Sequence, residues 1–298
     1  MRVVIAGSSG FLGSQLVEHF RAAGHQVTRL VRRAATAPDE VEWDPAAGRL
    51  DQATVDEAEV VVNLAGAATF GNPHSGKWQR ALRESRVQTT VTIARAVAAS
   101  EQPPAYLAGN AVGWYGNHGR EPVPEDADSR GKTLMTSVCR DWQAAADPAV
   151  ESGARVCFLR TAPVLDQGAP PLRELRHLFR FGLGARLSHG GQYFPVISLR
   201  DWVGAVAFLA ENDSVGGPVN LSCPETPTNA EFTSALAEAV GRPAFLRVPG
   251  TLLSVAAGEL APELLGSTRV EPRVLTEAGY VFKDRDVRSV VAAGLAQE

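Results

Sequence analysis

The sequence predicts an α/β protein with a doubly wound parallel sheet and a small C-terminal α/β lobe. Strand-like and helix-like segments alternate as far as about residue 165, which is typical of a parallel sheet covered by helices. A glycine-rich turn at residues 7–13 joins the first strand to the first helix. Beyond residue 165 the segments become short and rich in Gly, Pro and Arg. We therefore expect one domain at 1–165, to which later segments return, and a substrate-side C-terminal lobe at 166–298.

The individual elements follow from local periodicity. Short apolar runs bounded by turn residues predict strands, at 3–6, 26–31, 60–66, 106–110 and 155–160. Apolar residues at helical spacing predict helices, at 12–20, 78–99, 134–146 and about 250–265. A capping box at 228–231 opens a further helix that ends near Val240. Ligands of such sheets bind outside the carboxyl ends of the strands, where the chain places 7–13, 63–66, 110–116 and 161–164.

The turn at residues 7–13 has the spacing of a dinucleotide site. Gly7 permits the tight turn, Gly10 lets the backbone approach a pyrophosphate, and Gly13 lets the helix pack close to the strand. The helix that follows offers free N–H groups and a partial positive charge to phosphates. We predict a Rossmann-type nucleotide site, with a purely structural turn as the alternative. Its residues are Gly7, Ser8, Ser9, Gly10, Phe11, Leu12 and Gly13.

Two arginines follow the second strand, at Arg32 and Arg33. An NAD site usually carries a carboxylate there for the ribose 2′-hydroxyl, and that carboxylate would repel a 2′-phosphate. A guanidinium instead pairs with a phosphate through two hydrogen bonds. The sequence therefore favours NADP over NAD. The alternative is a pair of solvated arginines on a loop.

Composition narrows the functional classes. The chain has 298 residues, 45% of them hydrophobic and 21% charged, with a net charge of −4, so nothing favours nucleic acid or an anionic membrane as partner. Its three cysteines are scattered and its histidines lack metal-ligand spacing, so we expect no disulfide, no metal and a cytoplasmic location. The first residues enter a core strand directly, and we expect no signal peptide.

Several motifs together resemble an atypical or extended short-chain dehydrogenase/reductase. More narrowly, the chain is similar to epimerase-family proteins that end in a small C-terminal domain of unknown function. The resemblance covers essentially the whole chain. Its carriers are residues 7–13, 63–66, 85–90, 111–116, 159–161, 182–184, 217–220 and 228–232.

The resemblance implies where the cofactor would bind. NADP contacts would fall on the glycine turn, on Val31 with Arg32 and Arg33, on Leu64, Ala65 and Gly66, on Arg86, and on Val164. The physical arguments from strand ends agree for the first three groups. Arg86 alone could equally be a surface residue of its helix.

The catalytic pattern of short-chain dehydrogenases is missing. The resemblance implies a Tyr that donates a proton and a Lys four residues later that lowers the Tyr pKa, because positions i and i+4 share a helix face. The residues four positions after the four tyrosines are Asn110, Gly119, Ile197 and Asp284. No tyrosine is therefore followed by a lysine at this spacing.

Other residues are candidates for the chemistry. Tyr115 would donate a proton or, as the alternative, pack a pocket wall, and Asn110 would hydrogen-bond a substrate oxygen. Glu125 and Asp126 are expected on a solvated turn rather than as a general base. The arginine-rich segment 173–200 would form a basic flap suited to an anionic substrate, or simply a solvated helix face.

Three functional hypotheses remain. The first is an NADP-dependent oxidoreductase or epimerase acting on a small or nucleotide-linked substrate through non-standard residues. The second is an NADP-binding sensor or partner protein without turnover, and the third is a non-redox lyase or cyclase. The expected partner is a small molecule, anionic if the basic flap is correct, with no nucleic acid and no membrane. We expect a monomer or a homodimer.

Overall fold

A computed structural model describes residues 1–69 and 71–296. Its strands within these residues are β1 (Arg2–Ala6), β2 (Gln26–Val31), β3 (Glu40–Glu42), β4 (Val60–Asn63), β5 (Ala105–Ala111), β6 (Pro122–Val123), β7 (Val156–Thr161), β8 (Val164–Leu165), β9 (Ala185–Leu187), β10 (Ile197–Ser198), β11 (Gly217–Leu221), β12 (Leu246–Val248) and β13 (Arg269–Val270).

The helices of the same residues are α1 (Phe11–Ala22), α2 (Gln52–Asp56), α3 (Gly76–Ala99), α4 (Leu134–Ala144), α5 (Asp147–Glu151), α6 (Leu172–Arg180), α7 (Leu199–Glu211), α8 (Asn229–Ala239), α9 (Gly250–Ala257), α10 (Ala261–Leu265), α11 (Arg273–Glu277) and α12 (Val287–Leu295). Short 3₁₀ turns lie at Val112–Trp114 and Gly258–Leu260. None of the described helices combines the length and apolarity that a membrane crossing would need.

The central sheet has seven strands in the order β3-β2-β1-β4-β5-β7-β11. β1 pairs in parallel with both β2 and β4, so Ile5 lies between Arg29 and Val62. The strand order reverses direction between β1 and β4, which is where doubly wound sheets bind their ligands. The expected doubly wound fold is confirmed.

Two compact units divide the chain. The first comprises residues 1–110, 138–159 and 206–219, and the second comprises 111–137, 160–205 and 220–298. Residues 206–219 lie in the first unit, and residues 111–137 and 160–165 lie in the second. The expected division at residue 165, with later segments returning to the first domain, stays a prediction.

The first unit is built around the sheet. Its core packs apolar strand residues against α3, for example Val4 and Val61 with Ile93 and Val97. Ser75 caps the N-terminus of α3 by accepting a hydrogen bond from the Trp78 amide at 3.3 Å. This long helix positions the residues that follow β4.

The second unit contains three two-stranded parallel sheets, β8 with β10, β9 with β12, and β6 with β13. A separate core joins α6, α8 and α12 through residues such as Phe179, Leu236 and Val290. The capping box predicted at Thr228 and Glu231 is present at the start of α8.

Candidate functional site

The glycine turn closes the carboxyl end of β1. Gly7 has φ +82°, a left-handed conformation that a side chain would strain, and a Cβ at Gly7 would lie 2.7 Å from the Leu64 carbonyl carbon. A Cβ at Gly13 would lie 2.1 Å from the Gly7 carbonyl oxygen, far inside contact distance. The turn therefore needs glycine at both positions. Gly10 begins the helix as its N-cap, with φ −76°.

The N-terminus of α1 is free to bind an anion. Among the described residues, the amides of Phe11, Leu12 and Gly13 donate no hydrogen bond. The first turn carries no acidic side chain, and both Ser9 and Gly10 are exposed beside it. Unsatisfied N–H groups and the positive end of the helix dipole favour a phosphate at this position. The residues present therefore fit the pyrophosphate of a dinucleotide.

The segment after β4 packs directly against this turn. Asn63 is fully buried, and its amide donates to Thr90 Oγ1 at 3.1 Å and to Tyr106 Oη at 3.2 Å. Its Oδ1 accepts the amide of Ala65 at 3.1 Å, which sets the course of the chain at Leu64, Ala65 and Gly66. The structure thus brings two of the sequence-predicted groups together, the glycine turn and residues 64–66.

Arg86 is buried, so the alternative of a surface residue is wrong. Its guanidinium donates to the carbonyls of Ala67 at 3.1 Å and Leu82 at 3.0 Å, and to Thr69 Oγ1 at 3.0 Å. The ring of Trp142 lies 5.0 Å away. Burial lowers the Arg86 pKa, and among the described residues no carboxylate pairs with this charge. A buried cation without a counter-ion is costly, so an anionic ligand nearby would stabilise it.

The two arginines after β2 have different environments. Arg33 makes a two-bonded ion pair with the buried carboxylate of Glu40. Arg32 is exposed and makes no ion pair or hydrogen bond with the described residues. Val31 ends β2, and its carbonyl accepts the amide of Trp43 at 2.9 Å. Of the two candidates, Arg32 is the one available to a ligand.

Val164 belongs to the second unit. It lies in β8 and pairs with Ile197 of β10. Its side chain is buried. A contact between Val164 and a cofactor stays a prediction.

Tyr115 also belongs to the second unit, and it is fully buried. Its hydroxyl donates a 2.7 Å hydrogen bond to Asn220 Oδ1, and the Arg160 guanidinium lies 4.7 Å from its ring. Burial raises the pKa of Tyr115 to about 12. A pKa this far above neutral makes the phenol a weaker acid than an ordinary tyrosine, which favours the packing alternative over proton donation.

Asn110 ends the part of β5 that belongs to the first unit. It is buried, and its side-chain amide donates to the carbonyl of Cys139 at 3.2 Å. The amide is therefore committed to the backbone of α4. A bond from Asn110 to a substrate oxygen stays a prediction.

Glu125 is buried, which corrects the expectation that it lies on a solvated turn. The solvated turn holds for Asp126, which is exposed and pairs with Arg273, but Glu125 is 4% exposed. Its Oε1 accepts the amides of Asn220 at 3.1 Å and Val274 at 3.2 Å, and its Oε2 has no hydrogen-bond partner among the described residues. Burial raises the Glu125 pKa. The local sequence predicted a turn correctly but could not show that distant segments cover it.

The family model described as "NAD dependent epimerase/dehydratase family" matches residues 3–181, more than half of the chain. The chain belongs to this family. A second model, a domain of unknown function designated DUF1731, matches residues 248–293. Both parts of the resemblance drawn from the sequence motifs are thereby confirmed.

Relatives of this epimerase-family protein match it along nearly its whole length. Epimerase family protein Mb2239 of Mycobacterium bovis is 42% identical over 281 residues, which cover 94% of this chain and 93% of that protein. Human epimerase family protein SDR39U1 is 30% identical over 287 residues, which cover 95% of each chain.

Solved structures of the family share the fold. The crystal structure of human SDR39U1 (isoform2) with NADPH has a TM-score of 0.88 and 29% identity, and the match covers 99% of both chains. Thermus thermophilus UDP-glucose 4-epimerase, in complex with NAD, has a TM-score of 0.71 at 19% identity, which supports the fold alone.

The sequence motifs did not identify one carboxyl group of this epimerase-family protein that the structure shows to have a raised pKa. Glu263 of α10 accepts a hydrogen bond from Thr133 Oγ1 at 3.2 Å, and Thr133 in turn caps α4 by accepting the Thr136 amide at 3.2 Å. Burial raises the Glu263 pKa to about 6. No local pattern marks this residue, because its partner lies 130 positions away in the sequence. Among the described residues, no group of three His, Cys, Asp or Glu side chains could hold a metal ion.

Proposed function

We propose that this protein binds NADP(H) in its first unit and uses it as an oxidoreductase or epimerase on a small or nucleotide-linked substrate. The observation that carries the proposal is the N-terminus of α1 behind the glycine turn, where three amides donate no hydrogen bond to the described residues. The NADPH in the structure of human SDR39U1 supports the same cofactor.

Different residues of the chain would bind different parts of the cofactor. The amides at Phe11 to Gly13 would hold the pyrophosphate, since they point out of the helix end. Arg32 would pair with the 2′-phosphate, because Glu40 occupies its neighbour Arg33. Arg86 would balance negative charge from inside the unit while it holds the loop at Ala67 and Thr69. When bound, the nicotinamide supplies hydride transfer.

Proton transfer would not follow the Tyr–Lys pattern. α4 contains neither tyrosine nor lysine, and its raised pKa makes Tyr115 a weaker acid than an ordinary tyrosine. A second candidate function follows from this observation, namely a protein that binds NADP(H) without turnover and acts as a sensor or partner. We further propose a reducing, cytoplasmic setting, since all three cysteines are free and buried.

Native mass spectrometry of the protein as purified tests the cofactor. We expect a bound mass equal to NADP(H), and NADPH fluorescence that changes on titration with the apoprotein. A chain that neither retains nor binds a dinucleotide would contradict the proposal. Oxidation of bound NADPH on addition of candidate carbonyl substrates would then separate the oxidoreductase from the protein without turnover.

A further inference from the structure

A basic pocket lies within the second unit, where the C-terminal ends of α6 and α8 meet. It has a volume of about 370 Å³ and is lined by His177, Arg180, Phe181, Val240 and Arg242. An adjoining pocket of about 330 Å³ shares Arg180 and Val240 and adds Arg176. We call the residues Arg176, His177, Arg180, Phe181 and Arg242 the arginine pocket. It contains no residue of the glycine turn, and the cofactor proposal does not use it.

The described residues supply no counter-ion to the arginine pocket. Among the described residues, Arg176, Arg180 and Arg242 form no ion pair, and Arg176 instead donates to Gln167 Oε1 at 3.0 Å. The carboxylates on the same helices are already engaged. Glu174 of α6 pairs with Arg173 at 3.0 Å, and Glu238 of α8 pairs with Arg288 of α12. The three guanidiniums therefore concentrate positive charge that the described residues do not neutralise.

Many other arginines of the chain are neutralised by carboxylates. The pairs include Arg33–Glu40, Arg83–Asp141, Arg130–Glu121, Arg200–Asp284 and Arg273–Asp126. Arg200 is one of these, and Arg173 pairs with Glu174, so neither adds unneutralised charge to the basic flap expected at 173–200. Within that flap, Arg176, Arg180 and Arg186 form no ion pair with the described residues, and the first two join Arg242 from a distant part of the sequence.

Helix dipoles account for only part of this charge. His177 and Arg180 lie in the last turn of α6, and Arg242 follows the end of α8, so both helices present their negative ends here. Each helix end is equivalent to about half an elementary negative charge. Two ends therefore offset about one of the three guanidinium charges, and a net positive potential is left in the pocket.

We propose that the arginine pocket binds a small phosphate ester carrying a flat apolar group. Guanidinium groups bind phosphate oxygens through paired hydrogen bonds, and a dianion would relieve the repulsion between the arginines. Phe181 is 79% exposed at the pocket, which leaves its ring face open to stack on such a group. The volume lies at the lower end of the range for small-molecule sites.

Calorimetric titration of the full chain with phenyl phosphate tests the proposal. Excess NADPH is present throughout, so that phosphate binding at the glycine turn does not contribute. We expect phenyl phosphate to bind more tightly than inorganic phosphate, more weakly as salt is raised, and with phenol not binding. No binding of phenyl phosphate in the presence of NADPH would overturn the proposal.

Variants locate the binding. Arg180→Gln and Arg242→Gln should each weaken phenyl phosphate by roughly 10-fold, and Arg180→Lys by less, because it keeps the charge but loses the paired geometry. Arg186→Gln is the matched control, since it removes the same charge from an exposed arginine of the same unit that does not line the pocket, and it should bind phenyl phosphate as the wild type does. Phe181→Ala should bring phenyl phosphate close to inorganic phosphate. Equal binding by wild type, Arg180→Gln and Arg242→Gln would refute the site even if every variant is folded.

Discussion

Arg33 holds the carboxylate of Glu40 through two hydrogen bonds, with Nη1–Oε2 and Nη2–Oε1 distances of 2.8 and 2.7 Å. Glu40 also accepts the Thr36 amide at 2.9 Å and its hydroxyl at 3.0 Å, and these bonds hold the Glu40 pKa well below its usual range. The pair closes the loop between β2 and β3. Arg32, next to it, has no such partner among the described residues, so two adjacent arginines differ in what they can bind.

Arg32→Ala should remove most of the preference for NADPH over NADH. One charge-assisted pair with the 2′-phosphate contributes about 1.5–3 kcal/mol, or roughly 10- to 100-fold in affinity. Calorimetry with both cofactors measures the ratio. Arg33→Ala serves as the control, since it should lower stability through loss of the Glu40 pair and change the ratio much less. Equal affinity of the wild type for the two cofactors would contradict the assignment.

Gly10→Val should abolish NADPH binding and leave the protein folded. Gly10 has φ −76°, which valine can adopt, but a Cβ there lies only 3.3 Å from the Gly7 carbonyl and the branched side chain would fill the space for pyrophosphate. Fluorescence titration and circular dichroism measure the two effects. A folded variant with undiminished NADPH affinity would show that the turn is structural only.

Gly13→Ala is the contrasting change at the same turn. Its Cβ would lie 2.1 Å from the Gly7 carbonyl oxygen, so the backbone must move. Overpacking of this kind costs about 1–3 kcal/mol of the free energy of unfolding. Urea denaturation should show this loss, and a variant as stable as the wild type would contradict the close approach.

Tyr115→Phe should lower stability and spare turnover. The change leaves Asn220 Oδ1 buried without its hydrogen bond, which costs about 1–3 kcal/mol. Because burial raises the Tyr115 pKa to about 12, we expect the folded variant to keep the kcat of the wild type on any substrate that is found. A large fall in kcat with unchanged stability would instead support Tyr115 as the proton donor.

Glu263→Gln should change how stability depends on pH. Burial raises the pKa of folded Glu263 from 4.5 to about 6, so the folded state binds this proton more tightly than the unfolded state. Protonation of Glu263 therefore stabilises the folded state relative to the ionised form. This stabilisation is fully present below pH 4.5 and is lost as the pH rises through about 6. Between these two pH values, the free energy of unfolding of the wild type should fall by about 1–2 kcal/mol relative to that of Glu263→Gln.

Urea denaturation of both proteins at several pH values measures this difference. Glu259→Gln is the control, because Glu259 is exposed on the neighbouring 3₁₀ turn. The free energy of unfolding of Glu259→Gln should depend on pH in the same way as that of the wild type. Parallel stability curves for wild type and Glu263→Gln would refute the raised pKa.

Much of the fold was predictable because its determinants are local. The apolar run at 26–31 coincides with β2, and the capping box at Thr228 and Glu231 opens α8 as expected. The glycine spacing at 7–13 predicted a strand, a turn and a helix, since backbone conformation and close packing there depend on residues within one segment.

Burial and choice of partner were not predictable in the same way. Glu125 is covered because the amides of Asn220 and Val274 reach it from 95 and 149 positions away. Arg33 contacts Glu40 because β2 and β3 pair in the sheet, whereas the adjacent Arg32 makes no such contact. Such contacts depend on how strands pair and how distant segments pack, and sequence periodicity carries no information about them.

The sequence by itself determined the α/β class, the glycine turn, the family and the lack of a lysine four residues after any tyrosine. Tertiary structure decided the environment of individual polar and charged groups: Arg86 is a buried cation, Tyr115 is a buried phenol, and Arg242 lies beside Arg180. The physical reason is that a charge or hydroxyl acquires its energy from its surroundings, and those surroundings form only when segments far apart in the chain come together.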